Sequence, residues 1–147
     1  MTTATLTHVA RPTRDITAAI TFYRDFVGLH VVHQREDDGV QVAWLGERAE
    51  GNSFVIVLIG VPPLTDAVSH FANHLGYDLP SRAEVDAIAE RAAERGILAV
   101  PATDGGEIVG YYCMLEDPDG NLVEFSHGQP IEIPAATPDP RGVPVDK

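Results

Sequence analysis

The chain has 147 residues, a mass of 15.8 kDa and 44% hydrophobic content, enough for one compact domain with a core of its own. A net charge of -12 and a pI near 4.7 disfavour nucleic acid and anionic membranes as partners, because polyanions are repelled over much of such a surface. There is no long apolar run and no basic-then-apolar leader in MTTATLTHVARPTRD, and Cys113 is the only cysteine, so a cytoplasmic protein without disulfides is expected.

In chain order, Thr5 to Ala10 alternates as a strand does, and Pro12 to Asp15 supplies breaker and cap residues. Ile16, Ala19, Ile20, Tyr23 and Val27 then recur at helical spacing, and Gly28 suits the stop. Leu29 to Arg35, Val40 to Leu45 and Phe54 to Val61 read as three strands, the first pair joined by a turn at Asp37, Asp38 and Gly39. His74 to Leu79 opens a second series. Ser81 and Glu84 form an S-x-x-E capping box, Val85, Ile88, Ala89 and Ala92 make a buried helical stripe, and Gly96 closes the helix. A strand beginning at Ile97 to Val100, a turn over 103–107, Tyr111 to Leu115, the DPDG turn from Asp117 to Gly120, and Leu122 to Ser126 complete the series. Cys113 falls in a strand and reads as a small core hydrophobe.

The order strand, helix, three strands therefore occurs twice, as modules of about 4–62 and 70–128 within one domain of 1–128, followed by a Pro-rich tail over 129–147. His8 and His74 hold equivalent places, each some twenty residues before the glycine that ends its helix. Two such halves, each with a helix on one side of its sheet, are expected to form an α+β fold whose curved mixed sheet surrounds a shared cleft.

The paired modules, the segment THVARPTRDITAAITFYRDFVGL and the terminal EDPDGNLVEF resemble the vicinal oxygen chelate superfamily, which includes glyoxalase I, extradiol dioxygenases, methylmalonyl-CoA epimerase, fosfomycin resistance proteins and bleomycin-binding proteins. The resemblance covers roughly residues 4–128. It implies that His8, His74 and Glu124 bind one divalent metal ion. Two imidazoles and a carboxylate suit Fe2+, Mn2+, Ni2+, Co2+ or Zn2+, and no cluster of thiolates is present to favour a softer site. It further implies a small-molecule substrate that chelates the metal through adjacent oxygens, and a homodimer.

The glyoxalase and epimerase branches take a fourth ligand from the fourth strand. Here that strand is FVIVLIG, and Val55, Ile56, Val57 and Leu58 are the positions that correspond; none binds a metal. The remaining set matches the facial triad of iron(II) oxygenases, which favours a dioxygenase-like reaction over a glyoxalase-type isomerisation or lyase reaction. Ring-cleaving relatives commonly carry Tyr where this chain has Met114, and Gly105 stands near one of their acid-base histidines. Fosfomycin transferases commonly follow the first His with Thr, where Val9 stands here. Tyr112, on the same strand face as Met114, and His70 are the proton-transfer candidates. His127 is expected on the face opposite Glu124, and His30 and His33 as exposed or structural residues. Trp44, Tyr111 and Tyr112 divide between an aromatic pocket and the core. The rival class is a non-catalytic binder of cationic drugs, which the acidic charge would suit.

Overall fold

The computed structural model describes residues 4–63 and 73–130. His70, one of the two proton-transfer candidates, and most of the Pro-rich tail lie outside these residues. The first module comprises β1 (His8–Pro12), α1 (Ile16–Phe22, continuing as a π-wound turn over Tyr23–Val27), β2 (His30–Asp37), β3 (Val40–Gly46) and β4 (Val55–Ile59). The second comprises β5 (His74–Asp78), α2 (Arg82–Glu94), β6 (Leu98–Asp104), a short α3 (Gly106–Val109), β7 (Tyr111–Glu116) and β8 (Leu122–His127). Each module forms its own four-stranded mixed sheet, in the orders β1-β4-β3-β2 and β5-β8-β7-β6. The α+β fold and the repeat follow the expectation.

Local chemistry sets the element ends. The Asp15 carboxylate accepts from the Ala18 amide at 2.9 Å and starts α1, while Gly28 ends the π turn at φ 81°, in the left-handed region. Ser81 Oγ accepts from the Glu84 amide at 3.3 Å and starts α2. The β2–β3 hairpin turns through two residues, Asp38 and Gly39, both with positive φ as a twisted two-residue turn requires. In the DPDG turn, Asp117 Oδ1 accepts from the amides of Asp119 and Asn121, both at 2.9 Å.

One face of each sheet packs on its helix. Ala43, Leu45, Ile56 and Leu58 meet Ile16, Ala19, Phe22, Tyr23 and Phe26, and Cys113, Leu115, Val123 and Phe125 meet Val85, Ile88, Ala89 and Ala92. Phe125, 1% exposed, alone contributes about 2–3 kcal/mol of burial. Cys113 is fully buried, as expected of a core residue, and burial pushes its thiol up to about 12.

These two sets belong to one hydrophobic cluster, so the halves are joined through their helical sides. Across that junction Tyr23 donates its hydroxyl to Asp117 Oδ2 at 3.1 Å, and Arg91 donates to the Asp25 carbonyl at 2.8 Å. Burial, reinforced by the Asp117 charge, holds the Tyr23 phenol far above its ordinary range. Arg11 and Tyr77, each three residues past a module's histidine, also approach one another at the junction, where the guanidinium opposes the rise that burial imposes on the Tyr77 phenol.

Candidate metal centre

Strand register shows which side chains share the outward faces. In the first sheet His8 pairs with Val55, and Ala10 pairs with Val57, which pairs with Trp44, which pairs with His33; Arg35 pairs with Val42. Alternation places His8, Val57, Trp44, His33 and Arg35 on the face turned away from α1. In the second sheet His74 pairs with Leu122, and Gly76 pairs with Glu124, which pairs with Met114; Tyr112 pairs with Ser126. His74, Glu124, Met114 and Tyr112 therefore share the face turned away from α2.

The two registers coincide. His8 faces Val55 as His74 faces Leu122, so the first-module counterpart of Glu124 is Val57. Of the four positions left open by the sequence, this one is the equivalent, and its isopropyl group offers nothing to a metal or a proton.

Glu124 is only 4% exposed. Its Oε2 lies 3.4 Å from His74 Nε2, and its Oε1 accepts from Gln129 Nε2 at 2.8 Å. A buried carboxylate and an imidazole nitrogen thus face each other on one sheet face, a donor pair of the kind divalent ions take. His8 is exposed on the other sheet, and Thr7 Oγ1 lies 3.0 Å from its Nδ1, which leaves Nε2 without that contact.

The structure thus brings two of the three expected ligands together and holds His8 apart. Among the described residues of one chain, no three His, Cys, Asp or Glu side chains converge as a metal site. The sequence-based expectation that the inner faces meet in one cleft is not realised within the chain. The physical reason is the junction: the modules bury their helical sides against each other, which leaves their histidine-bearing faces pointing outward.

The remaining candidates separate cleanly. Tyr112 lies on the Glu124 face, whereas Tyr111 turns to α2, donates its hydroxyl to Asp86 at 2.6 Å and stacks under Arg82. That hydrogen bond, first, raises the Tyr111 phenol. His127 lies on the helix side, with Nδ1 2.8 Å from the Leu79 carbonyl oxygen, as a structural residue. His33 is exposed, as expected, and sets its ring 4.9 Å from that of Trp44 on the open face, within a cavity of about 880 Å³ that also includes His8 and Arg35. Gln129 was not singled out from the sequence, and its bond to Glu124 is visible only in three dimensions.

Comparison with known proteins agrees with this architecture. The Glyoxalase/Bleomycin resistance protein/Dioxygenase superfamily matches residues 5–125. A Pseudomonas aeruginosa protein, the uncharacterized PA2024, is 42% identical over 127 residues, covering 86% of this chain and 91% of its own. The fosfomycin resistance protein FosX of Listeria monocytogenes superposes with a TM-score of 0.70 at 17% identity, covering 87% of this chain and 96% of FosX. A mutant of FosX complexed with Mn(II) and 1S,2S-dihydroxypropylphosphonic acid gives 0.67 at 18% identity, covering 85% and 93%. With the superfamily matched across both modules, the chain belongs to the Glyoxalase/Bleomycin resistance protein/Dioxygenase superfamily.

Proposed function

We propose that the protein is a divalent-metal-dependent enzyme acting on a small molecule with two adjacent oxygens, its metal held by His8 of one copy and by His74 and Glu124 of a second copy. The observation that carries this reading is the buried Glu124 carboxylate facing His74 Nε2 at 3.4 Å, with His8 in the equivalent place on the other outward face. Two chains that exchange these faces bring the donors together, and the resulting contact is isologous, as a two-fold dimer requires. The Mn(II) in the FosX complex supports the same chemistry in a relative of this fold.

When bound, a divalent ion in such a site polarises a chelated oxygen and stabilises negative charge that develops there. The chain's own residues define the rest. Val57 in place of a fourth ligand leaves the site open and removes the carboxylate through which a glyoxalase-type proton transfer would run, so oxygenase-like chemistry is favoured over isomerisation. Gln129 fixes the Glu124 carboxylate by one oxygen and turns the other toward His74. Tyr112, on the same face as Glu124 and Met114, is our candidate to hold or move a proton on the substrate.

Metal content of protein purified without chelators tests this directly. About one ion per chain, lost in His74→Ala, is expected, followed by oxygen uptake with catechols under iron(II). A folded wild type that binds no divalent ion would overturn the enzyme reading. The net charge of -12 favours one alternative, sequestration of a cationic drug, and tight drug binding that survives chelation would establish it.

A further inference from the structure

The open face of the first sheet has a chemistry of its own. Trp44 is 39% exposed there, although it is a residue that sheets usually bury. The His33 ring lies 4.9 Å from the indole and the Arg35 guanidinium 5.9 Å from its centroid. Asp37 Oδ2 accepts from Arg35 Nε at 2.6 Å, which anchors one edge of the guanidinium; its Nη groups have no hydrogen-bond partner among the described residues. The cavity that includes these groups has a volume of about 880 Å³, within the range of small-molecule sites, and its other walls include Val55, Val57 and Phe54. In a chain of net charge -12, the charged or ionisable residues lining this cavity are His8, His33, Arg35 and a single acid, Glu50. A cationic ligand finds little here. An anionic one finds a guanidinium fork.

We propose that Trp44, Arg35 and His33 form a subsite for an aromatic carboxylate, with Trp44 stacking the ring and Arg35 taking the carboxylate. Placing this subsite at the far end of the metal-bound substrate rests on the proposed function above; binding at the subsite itself does not need the metal. Trp44 is two strands from β1 and its register line meets Ala10, two residues past His8. Strand spacing and rise then put the Trp44 and His8 backbones roughly 12 Å apart. A single ring bearing adjacent oxygens at one end and a carboxylate at the other spans such a gap between an imidazole-held ion and an indole. The subsite thereby narrows the substrate to an aromatic acid, and Trp44 and Arg35 set that specificity.

Trp44 is the sole tryptophan, so its emission reports occupancy without ambiguity. The full-length chain in excess EDTA is titrated with benzoate, benzamide and cyclohexanecarboxylate, by Trp44 emission and by calorimetry. Benzoate is expected to shift the emission and to bind about tenfold tighter than either analogue, from the charge-assisted fork and the ring contact respectively. Arg35→Gln should abolish the preference over benzamide, and Trp44→Leu the preference over cyclohexanecarboxylate; Trp44→Phe, which keeps a ring, should retain it. Equal affinity for the three compounds, no binding at millimolar concentration, or binding that leaves the emission unchanged overturns the subsite. Because the titration is run without metal, its failure is separate from failure of the metal centre, which metal content decides.

Discussion

Replacing Glu124 by Gln separates a ligand from a structural core residue. In the metal-free chain the carboxylate is 4% exposed, and among the described residues its hydrogen-bonding and ionic contacts are one amide donor, Gln129 at 2.8 Å, and the His74 imidazole at 3.4 Å. Glutamine has the same shape, keeps an oxygen for Gln129 and turns an amide toward His74. The metal-free variant should therefore stay within about 1 kcal/mol of wild type, or roughly 2–4 °C in melting temperature for a chain of this size. Metal affinity should fall. Losing the only anionic donor of the set should weaken binding by more than the roughly 10–100-fold that a supporting residue costs. Thermal melts in EDTA and competition against a fluorescent chelator read the two effects independently. A variant that keeps wild-type affinity, or that melts several degrees lower in EDTA, refutes the assignment, because Glu124 would then be holding the fold and not an ion.

Gln129→Ala should leave the melt within about 1 kcal/mol of wild type while weakening metal binding about tenfold, since it frees the oxygen that the amide now fixes; the same chelator competition checks it. Tyr23→Phe should cost about 1 kcal/mol in urea unfolding, because Asp117 Oδ2 loses its phenol but keeps the Asn121 side-chain amide at 3.0 Å. Cys113 should resist iodoacetamide at pH 8 until the protein is unfolded, its thiol being held at about 12 by burial. The unfolded chain loses that proton earlier than the folded one. Stability from this group is therefore intact below about pH 9 and declines as pH rises toward 12, by up to about 1.4 kcal/mol per unit, which urea melts against pH will show.

Most of the fold was legible because its punctuation is local. Asp15, Gly28, the Ser81 to Glu84 box and the DPDG turn each act through backbone groups a few residues away, and all appear where the sequence put them. Ile97 to Val100 was read as the beginning of a strand and 103–107 as a turn. The strand, β6, runs from Leu98 to Asp104, into the first two residues of that segment, and Pro101 is tolerated because β6 is an edge strand with two register irregularities. Face assignment was readable where a fixed point existed: Tyr112 falls with Met114, and His127 opposite Glu124, as period-two alternation requires.

The site was legible in its parts. The FVIVLIG strand is apolar throughout, so alternation gave no way to choose among its residues; pairing with β1 identifies Val57. His33 and Arg35 were within reach, since a two-residue turn at Asp38 and Gly39 fixes the hairpin pairing back to His33 and Trp44. The bulge after Val31 marks where that counting ends. Gln129 and the separation of His8 from Glu124 could not be read, because both depend on how whole modules pack. Helical sides that bury each other inside one chain turn the histidine-bearing faces outward, and no local pattern encodes that choice.

The central claim, one metal held by His8 of one copy with His74 and Glu124 of another, is tested most directly by mixing two inactive variants. His8→Ala and Glu124→Ala, each expected to bind no metal tightly, are unfolded together, refolded in equal amounts and assayed for tightly bound divalent ion. Random pairing makes about half the dimers mixed, each with one intact site of two, so about one quarter of the wild-type metal should return. No recovery from a mixture that has refolded and exchanged subunits, or a full complement of metal on a wild-type monomer, would contradict the account.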